Sequence, residues 1–401
     1  MNKTFFKLLV FALLSLPCAR VAQAGSAEPA SDGKPVTFPL SYTGEGLANL
    51  SGGYKRGAIY EGLLSAGVQL DLEKLAAWKG ATALISAIYP HGPSLTERYV
   101  HDFNGVSSID AYDSVRLYET WLQQEFADGK LSIRLGQLLA DTEFFVSENG
   151  ALFVNGAFGA IPLVSKNFEA PVYPVAAPGV RARFTQSEAF AVQVGVFDGN
   201  VGDPATENQH GLHWNLNADS GVLALAEAAY SVNSQKESQG LRGVYKFGLF
   251  YHTPSKNDEF LELPRHANAG GYFIADQQLW RKPGSEDGGL GGFLRVGGAP
   301  SDRNVVSFYG DAGLNFKGTL PGREKDIAGI GVSYTKLSEK LRDETNAPLD
   351  GHFETILEMT YRIIINEKLS VQPDFQYIFN PGASHKLPNA VVAGLRFNLT
   401  L

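Results

Sequence analysis

The chain has 401 residues, with 34 Lys and Arg against 42 Asp and Glu and a formal net charge of −8. This acidic balance argues against a nucleic-acid partner, because nucleic acids attract basic surfaces. Hydrophobic residues make up 44% of the chain. Beyond the N-terminal segment, however, no stretch approaches the ~20 continuous apolar residues of a membrane-spanning helix. The apolar residues are therefore expected to alternate along two-faced strands.

The first 24 residues have the pattern of a secretory signal peptide. Lys3 and Lys7 precede a short apolar run at 8–16, and small residues around 22–24 form a cleavage site. We predict that residues 1–24 are removed and that 25–401 form a single domain. The only cysteine, Cys18, lies inside the signal, so no disulfide is expected in the mature chain. A lipid anchor at Cys18 is the less favoured alternative.

Apolar and polar residues alternate in many later stretches, which predicts antiparallel strands with one apolar and one polar face. Val192 and Val194, for example, share one face of a strand, and Gln193 lies on the other. A Gly-rich first strand is expected near 39–52. The clearest strands after it are residues 118–126, 131–135, 180–185, 190–196, 308–316, 357–363 and 369–377.

The chain finishes on its cleanest alternating segment, VVAGLRFNLTL, in which every second residue from Val391 to Leu401 is apolar. The ends of soluble domains usually fray. In a closed barrel, by contrast, the last strand pairs with the first, and its edge hydrogen bonds are satisfied. The segment also resembles the C-terminal recognition signal of outer-membrane proteins, with Leu401 where many of them have Phe.

The connections fall into two alternating classes, as turns and loops do in a membrane barrel. Shorter ones are predicted near 73–79, 127–129, 186–188, 233–240, 281–290, 318–325 and 365–367, and longer or more polar ones near 53–57, 90–113, 139–178, 199–221, 253–269, 300–304, 337–353 and 379–388. We therefore predict an all-β fold, a transmembrane antiparallel β-barrel of about 16 strands with both termini periplasmic. Eighteen strands is the main rival count. A large soluble β-sandwich is disfavoured, because no domain linker interrupts the alternation.

Several segments resemble the carbohydrate-selective (OprB-like) porin family of Gram-negative outer membranes. They are DLEKLAAWKG (71–80), IRLGQLLADTEFFVSENGALFVNGAFG (133–159), GVFDGNVGDP (195–204), YHTP (251–254), ADQQLWR (275–281), APSDRN (299–304), YGDAGLNFKGTLPGR (309–323) and LSVQPDFQYIFNPG (369–382). The resemblance implies a sixteen-stranded porin in the cell outer membrane that passes sugars such as glucose down their gradient. We expect no cofactor. The expected partners are small sugars as solutes, outer-membrane lipid and the outer-membrane assembly machinery, and the porin would be a monomer or a trimer.

Residues 139–178 form the longest predicted connection and are unusually apolar for a loop that faces bulk water. We expect this loop to fold into the barrel and constrict it, because long structured loops are usually functional. A lid over the barrel, or an oligomer contact, is the alternative.

Sugars are recognised by hydrogen bonds from charged and amide groups and by stacking on aromatic rings. Six such side chains are predicted on the inner face near the 139–178 loop, with Gln123 opposite Arg134 across the turn at Asp128-Gly129. These pore-lining candidates are Glu119, Trp121, Gln123, Arg134, Arg181 and Arg183. Farther round, the predicted inner charges are Glu227, Lys246, Asp276, Arg295, Asp311, Glu358, Arg362 and Asp374. We expect most of these to be solvated lumen charges without a special role. Their mixed signs suit neutral polyols better than ions.

No catalytic, cofactor-binding or metal site is predicted. The HGLHW motif sets His210 and His213 three residues apart without an evident third ligand, so a polar loop is favoured over a metal pair. No nucleophile motif is present, although the catalytic residues of barrel enzymes can be scattered along a chain. The alternatives to a sugar porin are a general diffusion porin, a barrel enzyme and an adhesive barrel.

Overall fold

In the computed structural model the described residues are 34–203, 205–214, 221–235, 238–253, 267–285, 288–341 and 350–401. The predicted signal peptide, with Cys18, lies outside the described residues. The helices of the described part are short: Leu72–Ala76, Pro162–Ser165, a π-helical turn at Thr96–Val100, and 3₁₀ turns at Gly150–Leu152, Gly156–Phe158 and Pro381–Ala383. Among the described helices, none is long and apolar enough to cross a membrane.

Sixteen long strands make up the wall in the part of the chain that is described. They are β1 (Leu40–Ser51), β2 (Gly57–Asp71), β3 (Ala81–His91), β4 (Arg116–Phe126), β5 (Leu131–Leu138), β6 (Ala177–Thr185), β7 (Phe190–Asp198), β8 (Val222–Val232), β9 (Gly243–His252), β10 (Asn268–Arg281), β11 (Gly289–Gly298), β12 (Val306–Lys317), β13 (Ile327–Leu337), β14 (Phe353–Ile364), β15 (Leu369–Phe379) and β16 (Ala390–Thr400). A two-residue strand, Val36–Thr37, pairs with the end of β2.

Each long strand pairs antiparallel with its neighbours in the chain, and β16 pairs with β1 to close the barrel. Arg396 of β16 lies opposite Glu45 of β1, and their side chains form an ion pair. The predicted sixteen-stranded barrel is therefore confirmed. The terminal segment is a paired wall strand, as expected, because closure satisfies the backbone groups that hydrocarbon cannot.

The outer face of the strands is apolar and the inner face is polar, as the alternation of the sequence predicts. Val192, Val194 and Val196 of β7 are exposed on the outside, whereas Gln193 between them is buried inside. Large apolar side chains such as Leu135 and Phe247 continue this exposed band around the wall. An outer face of this kind suits lipid, since burial of apolar area in the membrane stabilises the barrel.

The long connections all leave from one end of the barrel, here called the long-loop end, and β1 begins and β16 ends at the opposite, short-turn end. Residues 139–176 between β5 and β6, called the inner loop, fold back into the barrel. Apolar side chains of the inner loop, including Phe144 and Leu163, are buried against inward-facing wall residues such as Trp121 and Tyr272.

Candidate functional site

The inner loop begins directly after β5, and hydrogen bonds join the start of the loop to its end. The amide of Ala140 donates to the Pro171 carbonyl at 2.6 Å, and the amide of Tyr173 donates to Asp141 Oδ2 at 3.1 Å. Burial raises the pKa of the Asp141 carboxyl to about 6. Because the apolar side chains of the loop find their partners inside the barrel, the loop turns inwards rather than into water.

Glu143 of the inner loop is held by two arginines of the wall. Its carboxylate forms an ion pair with Arg134 of β5 and a second ion pair with Arg181 of β6, whose Nη2 donates to Glu143 Oε1 at 3.3 Å. Gln123 Oε1 of β4 accepts from Arg134 Nε at 3.1 Å and from Arg181 Nη2 at 3.0 Å. The Arg134 guanidinium lies 4.0 Å from the centre of the Trp121 ring. Five side chains of mixed charge and polarity therefore meet at one point of the wall.

The strand register explains why these wall residues meet. Gln123 is paired with Arg134, as predicted, and Arg134 is paired with Arg181, so the three lie in one row across β4, β5 and β6. Arg183, the next inner residue on β6 toward the short-turn end, is exposed. A row of inward-facing groups on adjacent strands is the arrangement that the alternation was expected to give.

Glu119, like Arg183, is a predicted site residue that lies away from this row. A register shift after Ile85 leaves Tyr118 and Glu119 without their own partners on β3, and both side chains are buried. The Glu119 amide donates to Ser86 Oγ at 3.0 Å. The bulge thus takes Glu119 under the loops, which sequence alternation alone does not reveal.

Most of the other predicted inner charges do lie inside, but the expectation that they are solvated and without a role is wrong. Glu358 is fully buried, and its two oxygens accept from the amides of Val154 and Asn155 of the inner loop at 2.6 and 3.0 Å. Asp276 accepts from the amide of Asn149 at 3.0 Å and from Ser147 Oγ at 2.7 Å.

Basic wall residues hold the carbonyl groups of the same loop. Arg295 pairs with Asp311, with Nε 3.0 Å from Oδ2, and donates to the Gly159 carbonyl at 2.8 Å. Arg362 and Lys246 donate to the carbonyls of Leu152 and Val146 at 3.1 and 2.8 Å. The wall charges therefore dock the inner loop by its backbone. Backbone groups are the same in every residue, so the sequence carries no signal for such contacts.

A second long connection, residues 92–115, also reaches the interior. Glu354 of β14 accepts from the amides of Phe103 and Asn104 at 2.7 and 3.0 Å. The amide of Gly156 in the inner loop donates to the Gly105 carbonyl at 2.9 Å and so joins the two loops. This contribution of residues 92–115 could not be predicted from the sequence, because their polar composition is that of an ordinary surface loop.

In the described ranges no group of three or more His, Cys, Asp or Glu side chains is placed to hold a metal ion. His210 Nδ1 donates to the carbonyl oxygen of Val115 at 2.9 Å, and His210 lies in an exposed segment.

A closed antiparallel barrel with an apolar outer face and a polar, loop-bearing interior is the architecture of an outer-membrane porin. Over residues 55–401 the sequence matches the model of the carbohydrate-selective porin, OprB family. The chain belongs to this family, and the predicted resemblance is confirmed.

Two related proteins and one solved structure support this assignment. Porin B of Pseudomonas aeruginosa is 26% identical, over 90% of this chain and 87% of its own length. The putative porin QuiX of Acinetobacter baylyi is 25% identical, over 90% of this chain and 88% of its own. The high-pH structure of Pseudomonas putida OprB is 25% identical, with a TM-score of 0.79 over 92% of this chain and 95% of that one. The family and these relatives are porins, which are outer-membrane channels and not enzymes.

Proposed function

We propose that this porin passes neutral, glucose-like sugars by passive diffusion and selects them at the row of Gln123, Arg134 and Arg181 facing Glu143. That row carries the proposal, because it offers hydrogen-bond donors and acceptors of both signs within one patch. Sugar hydroxyls can use both kinds of partner, whereas a ring of one charge would select ions. Binding that is weak speeds diffusion at low sugar without trapping the solute.

The inner loop is the proposed constriction. The contacts that support this proposal run along inward-facing residues of many strands, from Arg134 on β5 to Glu358 on β14. A lid would instead rest across the opening. The exposed Arg183 lies on the same face of β6 toward the short-turn end, and we propose that it receives the sugar after the row.

Trp121 is proposed to support this row rather than to stack on the sugar. Its ring is 4% exposed and is covered by the Arg134 guanidinium at 4.0 Å. A cation held over an aromatic face gains about 0.5–2 kcal/mol, so Trp121 would fix the direction of the Arg134 side chain. Glu119 is proposed to support the packing under the loops rather than to contact the sugar, because its side chain is buried.

The distribution of the connections supports one membrane orientation. Short turns face the periplasm in barrels of this kind, and β1 begins and β16 ends at the short-turn end. We therefore propose periplasmic termini, removal of residues 1–24 on export, and insertion by the outer-membrane assembly machinery.

Liposome swelling with the purified, refolded porin tests the sugar preference. Swelling in glucose is compared with swelling in charged solutes of similar size, for the natural chain and for Arg134→Gln. Because one or two hydrogen bonds to the sugar are lost, the preference for glucose should fall by about two- to tenfold. The matched control is Lys130→Gln, since Lys130 lies exposed in the β4–β5 turn.

Each outcome has a distinct meaning. Glucose swelling that exceeds the charged solutes and weakens in Arg134→Gln alone supports selection at the row. Rates set only by solute size would make this chain a general diffusion porin, which is the second candidate. No swelling with folded protein would contradict an open channel and would favour the enzyme or adhesive barrel.

A further inference from the structure

The wall has a seam where the inner loop leaves it. The last pair between β4 and β5 is Thr120 with Gln137, yet β4 continues to Arg116 toward the long-loop end. Beyond that pair, β5 no longer covers the edge of β4, because the chain turns into the lumen at Leu139. Uncovered backbone groups are costly next to hydrocarbon, so a barrel must satisfy this edge by other means.

Residues 208–214, called the seam segment, provide this cover. The amide of Leu117 donates to the His210 carbonyl at 2.9 Å, and Arg116 Nη2 donates to the Gln209 carbonyl at 3.0 Å. Gly211 has φ +65°, and a Cβ atom there would lie 2.2 Å from the Leu117 carbonyl oxygen. Only glycine permits this approach, so the segment lies directly against the edge of β4.

Gln137 ties the same segment to the outside of the wall. Its position on β5 points outward, between the inward-facing Gly136 and Leu138, yet the side chain is only 1% exposed. Gln137 Nε2 donates to the Gly211 carbonyl at 3.1 Å, and Gln137 Oε1 accepts from Trp214 Nε1 at 2.8 Å. An amide that would otherwise meet lipid is therefore covered by the seam segment and fully engaged.

The outer surface of the seam segment is apolar. Leu212 is 72% and Trp214 is 54% exposed, and the indole N–H of Trp214 is already used against Gln137. Val115, next to β4, and Leu135, on the outward face of β5, are also exposed. The patch therefore continues the lipid-facing band of the wall toward the long-loop end.

We propose that the seam segment is a lipid-binding surface that inserts Leu212 and Trp214 between the headgroups and acyl chains of the adjacent leaflet. A Trp ring with its polar edge satisfied and its apolar body exposed is typical of that boundary. The surface is independent of sugar selection. It seals against lipid the edge that the inward turn of the inner loop leaves open, and it gives the HGLHW motif a structural role at the membrane.

A fluorescent label at residue 212 tests this proposal. The only cysteine, Cys18, is replaced by serine, and Leu212→Cys is labelled with a polarity-sensitive fluorophore in the refolded porin in bilayers. Two matched positions calibrate the response: Leu135→Cys, on the outward face of β5, and Thr206→Cys, exposed in the same connection as the seam segment. Because all three side chains are exposed, the substitutions should leave the barrel folded, which its heat-dependent gel mobility checks.

The label at 212 is expected to emit at shorter wavelength than the label at 206. It should be quenched by lipids that carry a spin label near the headgroup, and it should lose most of the iodide quenching seen at 206. The label at 135 should respond more strongly to a spin label deeper in the acyl chains. Iodide quenching at 212 equal to that at 206 would place the segment in water and overturn the proposal. Protection from iodide without quenching by either lipid label would also overturn it, since a protein would then cover the patch.

Discussion

Replacing Glu358 by alanine should release part of the inner loop. Glu358 is fully buried and is the acceptor for the amides of Val154 and Asn155. Each buried N–H left without a partner costs about 1–3 kcal/mol, so the docked state of this part of the loop should lose about 2–6 kcal/mol. Even the lower figure corresponds to about a 30-fold increase in opening of the loop, at 1.4 kcal/mol per factor of ten.

Hydrogen exchange measured by mass spectrometry on peptides that contain Val154 and Asn155 reports this opening directly. Exchange there should accelerate at least about 30-fold in Glu358→Ala, and larger sugars should pass more quickly in liposome swelling. Glu358→Gln should have a smaller effect, because its carbonyl oxygen keeps one of the two bonds. The exposed Glu188 supplies the control variant Glu188→Ala, which should exchange as the natural chain does. Unchanged protection in folded Glu358→Ala would refute the view that wall carboxylates hold this loop.

Three further changes probe other parts of the barrel. Arg295→Met should destabilise the barrel by about 3–5 kcal/mol in urea unfolding, because Asp311 stays buried without its partner. The double variant that also carries Asp311→Leu should recover most of this loss. Equal losses of stability in the single and the double variant would contradict this account. Burial raises the pKa of Asp141 to about 6, so its contribution to stability is present below the unfolded pKa and is lost as pH rises through about 6. Asp141→Asn should therefore flatten the fall in unfolding temperature between pH 4 and 7, and an unchanged slope would assign that fall to other groups. Gly211→Ala should lower the unfolding temperature more than Gly322→Ala, since both glycines have positive φ but only Gly211 lies against backbone atoms. Equal effects would mean that the cost comes from the positive φ alone and not from the contact with Leu117.

The pairing of the site row could be predicted from the sequence because it depends on local rules. Apolar residues at every second position define one face of each strand, and a tight turn sets the register of the two strands that it joins. The turn at Asp128-Gly129 therefore sufficed to place Gln123 opposite Arg134. The bulge at Glu119 departs from the same rule, because nothing in the local sequence marks where two residues of β4 face one residue of β3.

The sequence by itself determined the barrel, its closure by the last strand, and which face of each strand is apolar. The faces follow from the two-residue period of the side chains, and the closure follows from the free-energy cost of open strand edges in lipid. The tertiary structure decided how the inner charges are used. Glu358 and Val154 are 204 residues apart, and the amide that Glu358 binds belongs to the backbone, which is identical in every residue. The same holds for the seam, where the Leu117 amide meets the His210 carbonyl. Long-range hydrogen bonds to the backbone leave no pattern in the side chains, so only the folded chain reveals them.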